Sequence, residues 1–148
     1  MHDVLILPSL LSCDFARIAD EVERVEAAGA DALHVDVMDG HFVPNLTFGP
    51  PVVRCVKRVA KTPLDVHLMI EEPVRYAKPF VEAGADWLTF HAEASEVAGD
   101  LPGAVAALKA AGVPKVGISI KPETTVEDIA AVLDEVELVL VMSIQPGF

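Results

Sequence analysis

Residues 33–45 read LHVDVMDGHFVPN, and the pattern in this stretch governs the reading of everything around it. Side chains alternate between the two faces of a β-strand, so a strand over 32–38 places His34, Asp36 and Met38 on one face. Val35 and Val37 fall on the other. The strand then meets Asp39-Gly40, a turn pair, so its polar face is delivered to a strand end where a loop begins. In parallel β/α proteins that end carries the chemistry.

Working outward, residues 64–70 repeat the pattern, because Asp65, His67 and Met69 share one face as His34, Asp36 and Met38 do. His67 can therefore meet His34 and Asp36 at the same end of a parallel pair. Two imidazoles and a carboxylate make a partial shell for a borderline divalent ion, with Zn, Fe, Mn and Co all chemically suitable. The same spacing also suits hydrogen-bonded core histidines, and spacing alone leaves both readings open.

The flanking sequence supplies a regular alternation. Residues 4–10 are almost wholly apolar, as a strand buried on both faces should be. A helix follows, capped by Ser12 or Asp14, with Phe15, Ile18, Val22 and Val25 at helical spacing and Gly29 placed for a left-handed cap. Pro50-Pro51 opens a second helix that turns Val52, Val53, Val56 and Val59 toward the core. A third helix runs from Pro73 to Gly84, with Pro79 expected to kink or split it. After a strand at 87–91 comes a helix over 101–111, closed by Gly112, and a strand at 116–120. Thr125 and Asp128 form a variant capping box for a fifth helix through Leu133, and 138–143 is the sixth strand. The helix-to-strand turn recurs at 26–31, 82–86 and 110–113, a weak internal repeat.

Six strands alternating with five helices predict a parallel α/β fold with right-handed crossovers. A closed eight-unit barrel needs about 200 residues or more, and this chain has 148. The expectation is a single partial (β/α) barrel domain over 1–148, with strands 1 to 6 and helices 1 to 5, a fragment truncated after the sixth strand.

Composition narrows the function. With 52% apolar and 23% charged residues the chain is built to form a packed core. Its apolar runs fall far short of the roughly 20 residues of a membrane helix, so no membrane partner is expected. Met1-His2-Asp3 lacks a basic secretory start, which predicts a cytoplasmic protein. The net charge is −12 with scattered basic residues, which argues against nucleic acid, and any anionic substrate must be held by local groups. Cys13 and Cys55 show no CxxC spacing and read as reduced, structural thiols. GxGxxG, P-loop and GxSxG motifs are absent, which removes support for nucleotide-binding and serine-hydrolase readings.

Other candidates are weaker. Ser9 suits either a polar substrate contact or a residue bonding its own backbone. Asp39 and His41 read as turn residues, Lys121 as weak evidence for an anion contact, and Met38 and Met69 as core filler on composition alone. His91, with Glu93 and Glu96 after it in a loop, reads as structural.

Four blocks together carry a family resemblance: Pro8-Ser9, residues 34–45 (HVDVMDGHFVPN), 65–69 (DVHLM), and Met142-Ser143 with Pro146-Gly147-Phe148. The chain resembles the ribulose-phosphate 3-epimerase family from Pro8 to Phe148. That resemblance implies a (β/α)8 TIM barrel interconverting D-ribulose 5-phosphate and D-xylulose 5-phosphate, with one divalent metal ion and no organic cofactor. It implies that His34, Asp36 and His67 bind the metal and that Asp36 is also a catalytic acid/base. Ser9, His34, Met38, His67 and Met69 would line the sugar phosphate, and Gly147 and Phe148 would begin the loop closing over it. A homo-oligomer is expected. The family's opposing acid/base is an Asp after the seventh strand, and its phosphate grip lies mainly in loops after the seventh and eighth, none of which falls within these residues. Two other readings stand beside this one: a sibling enzyme acting on a hexulose 6-phosphate, and a catalytically silent barrel fragment that assembles through its open edges.

Overall fold

Proline and glycine punctuate this chain. The structure, a computed structural model, describes residues 4–147. Pro opens α2 (Pro50–Val59), α3 (Pro73–Ala83) and α4 (Leu101–Ala110) within their first two positions, where a missing N–H costs no helical bond. Gly29 after α1 (Ile18–Ala27) and Gly84 after α3 take positive φ, 96° and 104°, so the chain can leave each helix and turn back to the sheet.

The strands are β1 (Leu33–Met38), β2 (Leu64–Met69), β3 (Trp87–His91), β4 (Val116–Ile120) and β5 (Leu138–Val141). They form a single parallel sheet whose spatial order is the chain order. A doubly wound sheet would reverse its order at a switch point. Here each strand lies beside the one before it, and successive helices pack on one another, as in the wall of a β/α barrel.

The two faces of the sheet differ in chemistry. Leu33, Val35 and Val37 of β1, Leu64, Val66 and Leu68 of β2, and Leu88 and Phe90 of β3 join one apolar cluster with Val22, Val53, Val56, Phe80 and Leu108 of the helices. Fully burying each such side chain is worth roughly 1.5–3 kcal/mol, which makes this layer the main source of cohesion. The opposite face carries His34, Asp36, Asp65, His67, Thr89, His91 and Ser119, all but His34 buried.

Several local expectations are corrected. The segment expected as a first strand is extended but makes only an isolated parallel bridge, Ser9 to His34, with Val4 84% exposed. Pro8 gives its carbonyl to His34 N–H at 3.0 Å but lacks the N–H that would continue the ladder, and no strand lies on its outer side among the described residues. Pro79 does not split α3. The carbonyl it deprives of a partner is that of Arg75, on the exposed side of the helix, where water can serve. Asp14 caps a 3-10 turn (Phe15–Arg17) that leads into α1, and Ser12 caps nothing. Val59 is exposed, so the core stripe of α2 rests on Val53 and Val56.

The expected fifth helix is a 3-10 helix, Val126–Val132, with the Thr125–Asp128 capping box formed as read. Its buried residues, Ile129 and Val132, lie three apart, the spacing that a 3-10 helix brings onto one side. The sixth expected strand shortens to β5.

Gly117 of β4 shows how tightly the polar face is packed, since a Cβ there would stand 2.4 Å from Thr89 Oγ1. Gly117→Ala should destabilise the fold by about 2 kcal/mol through overpacking, read as a lower urea midpoint with an unchanged slope. An unchanged midpoint would mean that Thr89 moves aside freely.

Candidate functional site

The parallel register of β1 and β2 builds the site. It pairs His34 with Asp65, Asp36 with His67 and Met38 with Met69, so six inward side chains stand in three rows. Asp36 Oδ1 lies 3.2 Å from His34 Nε2 and 2.9 Å from His67 Nδ1, and Ser9 Oγ donates to Asp36 Oδ2. One ligand atom from each of His34, Asp36 and His67 lies within 4.8 Å of the others. One carboxylate oxygen and two imidazole nitrogens thus converge, a donor set that suits a divalent metal.

Each imidazole is fixed from behind. His34 Nδ1 donates to Asp65 Oδ2 at 2.9 Å, and Asp65 Oδ1 accepts from Thr89 Oγ1 at 2.9 Å. His67 Nε2 lies 2.9 Å from His91 Nε2, and His91 Nδ1 is 3.1 Å from Glu93 Oε2. Such backing sets which ring nitrogen faces inward. Glu93 is itself tied down, because its Oε1 accepts from the Lys121 N–H at 2.7 Å and from the Thr124 hydroxyl.

Charge follows geometry. Burial works against a charged His34, but its hydrogen bonds and proximity to Asp36 and Asp65 outweigh that and raise it to about 10. Burial likewise opposes ionisation of Asp36, yet the bonds from His34, His67 and Ser9 hold it far below the usual carboxylate range. His67 is lowered, by burial first and by the neighbouring histidines next, against the pull of Asp36. Its ring therefore favours the neutral form that can act as a ligand.

The site's rim is apolar. Met38 and Met69 pack with Val43, Leu11 and Phe42, and the Phe42 ring lies 4.9 Å from that of His91. Lys121 Nζ sits 4.1 Å over the Phe42 ring, which places this cation at the rim. Ser9 makes the local backbone bond expected of it, accepting from Leu11 N–H, and also donates to Asp36. Asp39 behaves as a turn residue, its Oδ1 accepting from His41 and Phe42 N–H and its Oδ2 from Glu71 N–H at 2.9 Å. Gly147 rests against Val43, where an added Cβ would come within 2.8 Å, and Phe148 lies outside the described residues. Cys13 and Cys55 are free.

His91, Glu93, Asp65 and Thr89 are the residues whose part in this cluster sequence reading missed. The available signal was alternation: Thr89 and His91 continue the inward face of β3, and an acidic residue follows His91 by two positions.

A sequentially wound parallel sheet with a His-Asp-His cluster on its inner face defines a β/α-barrel protein whose donor set suits a divalent ion. Solved structures agree on the fold: a protein described as a deoxyribose-phosphate aldolase, from Coccidioides immitis, superposes with a TM-score of 0.64 at 12% identity, covering 94% of this chain and 58% of its own. A 7,8-dihydropteroate synthase from Vibrio fischeri ES114 gives 0.54 at 12% identity, covering 88% and 54%. Residues 5–148 match the model of the ribulose-phosphate 3 epimerase family, and the chain belongs to that family. It is 50% identical over 145 residues to a ribulose-phosphate 3-epimerase of Bacillus subtilis, covering 98% of this chain and 65% of that protein. It is 54% identical over 145 residues to one from Mycobacterium bovis, covering 97% and 60%. The chain thus spans roughly three-fifths to two-thirds of the length of these relatives. Among the described residues no helix is long and apolar enough to cross a membrane.

Glu93 offers a test of this polar network. Burial opposes its charge, but His91 and the Lys121 and Thr124 donors lower it from 4.5 to about 2. A depressed carboxylate contributes stability above its unfolded pKa and loses it as pH falls through the folded value, so the window runs from about 4.5 down to about 2. Glu93→Gln should remove at most about 3 kcal/mol of stability at pH 7 and flatten its decline in acid. Urea midpoints measured between pH 7 and pH 3 check this, and equal acid slopes in both proteins would contradict it.

Proposed function

We propose that the full-length protein interconverts D-ribulose 5-phosphate and D-xylulose 5-phosphate by inverting C3, with His34, Asp36 and His67 holding one divalent ion. The observation that carries this reading is the convergence of those three side chains on the inner face of a sheet whose family is established. Inversion next to the C2 carbonyl requires removal of the C3 proton from one face and return of a proton to the other, through an enediolate. A bound divalent ion, Zn, Fe, Mn or Co, would supply Lewis-acid stabilisation of the charge developing on the C2 and C3 oxygens.

The chain's own residues divide the remaining work. Asp36 is the base, kept ionised by its hydrogen bonds on the inner face of the sheet. Ser9 fixes Oδ2 of that carboxylate, and Asp65 holds His34 so that Nε2 faces inward. Met38 and Met69 give the flat enediolate an apolar surface with no proton to donate. Gly147, against Val43 at the rim, is assigned to the side of the site that meets the phosphate. The opposing acid/base is not assigned to any of the described residues.

Asp36→Asn in the full-length protein should lower kcat by about three orders of magnitude, within the range of a lost acid/base group. His67→Ala should lose bound metal as well as turnover. Coupled assay of the two pentulose phosphates, before and after chelation and with divalent ions added back, checks both. A wild-type rate in Asp36→Asn removes the base assignment, and full activity after complete chelation removes the metal.

A further inference from the structure

His91 lies in the site but outside the donor set. Its side chain is fully buried, its Nε2 is 2.9 Å from His67 Nε2, and its Nδ1 is 3.1 Å from Glu93 Oε2. The chain of contacts runs from Asp36 Oδ1 through both rings to Glu93, and it has a carboxylate oxygen at each end.

The direction of each bond follows from counting donors. A carboxylate oxygen only accepts, so the His91 nitrogen facing Glu93 carries its proton on Nδ1. With a divalent ion on His67 Nδ1 the ring proton of His67 would lie on Nε2, 2.9 Å from His91 Nε2, which would accept it. In that tautomer His67 Nδ1, which lies 2.9 Å from Asp36 Oδ1, would be free to ligate the ion beside it. The hydrogen-bonding of β3 thereby determines which nitrogen β2 offers to the metal.

The surroundings preserve this arrangement. Thr89 and Ser119 flank His91 on the same face, with the Thr89 hydroxyl committed to Asp65 and Ser119 Oγ to the Leu140 carbonyl, so neither competes for the ring. The Phe42 ring covers His91, and Lys121 covers Phe42. Glu93 is anchored by backbone and hydroxyl donors from the segment after β4, so its carboxylate cannot swing away without breaking those bonds.

We propose that His91, oriented by Glu93, is a positioning residue that accepts the Nε2–H of His67 and so presents His67 Nδ1 to the divalent ion. This inference rests on the metal reading of the preceding subsection and adds the residue that selects the ligating nitrogen. His91 touches no substrate in this assignment. It acts only through His67.

The test uses the full-length protein, with zinc ion as the probe, and compares wild type, His91→Phe, His91→Gln and Glu93→Gln. Competition against a chelator should show His91→Phe binding zinc 10- to 100-fold more weakly, the usual loss for an outer partner of a metal-bound imidazole. His91→Gln, whose carbonyl can still accept from His67, should recover most of that loss, which a purely space-filling role would not predict. Nitrogen-15 spectra of the zinc form should show His67 bound through Nδ1 and protonated at Nε2, with a through-hydrogen-bond coupling to His91 Nε2. Ligation through Nε2, or unchanged zinc affinity in a folded His91→Phe protein, overturns the proposal. If wild type binds no divalent ion, the metal reading itself fails, and the proposal with it. If wild type binds zinc but the coupling is absent, only the role of His91 fails.

Discussion

The pairing of β1 with β2 is the constraint on which the rest of the site depends. Because side chains alternate along a strand, a slip of one residue would turn one strand's inward residues toward the helices. Asp36 or His67 would then meet the apolar layer, and the other would lose its neighbour. Two apolar rows hold the register, Leu33-Val35-Val37 and Leu64-Val66-Leu68, each buried against the helices. Hydrophobic burial on one face therefore determines electrostatics on the other. The helix layer and the candidate metal site are two sides of one pattern.

The polar face is affordable because its charges and hydrogen bonds are internally matched. Three imidazoles, His34, His67 and His91, interleave with three carboxylates, Asp65, Asp36 and Glu93. Isolated buried charges would cost several kcal/mol apiece, whereas here every imidazole nitrogen has a partner. Among the described residues the one buried side-chain polar atom without a hydrogen bond is Glu26 Oε2, at a helix end far from this cluster. A site so fully satisfied is rigid before any ligand arrives, which favours precise placement of donor atoms.

Much of this was legible in the sequence, for a physical reason that differs from element to element. Strand periodicity exposed the inward rows of β1 and β2, and proline and glycine located helix ends to within a residue or two. What sequence could not supply was pairing. Whether residues 4–10 form a strand depends on neighbours on both sides, and only one is present among the described residues. Whether Pro79 breaks α3 depends on which way Arg75 faces. His91 looked structural because its partners are remote: His67 lies 24 positions away, and Glu93 is held by Thr124, 31 positions from it. Family resemblance gave meaning to the methionines, which composition alone would leave as filler.

The carboxylate of Asp39 binds backbone N–H groups from two different loops, those after β1 and β2. Those loops therefore behave as one hinge plate with a single pin. The segment from Gly40 to Leu46 cannot lengthen beside Asp39 without also releasing the chain after β2. Variation in this rim is thus restricted in length, and the apolar cover over the histidines is tied to both loops at once.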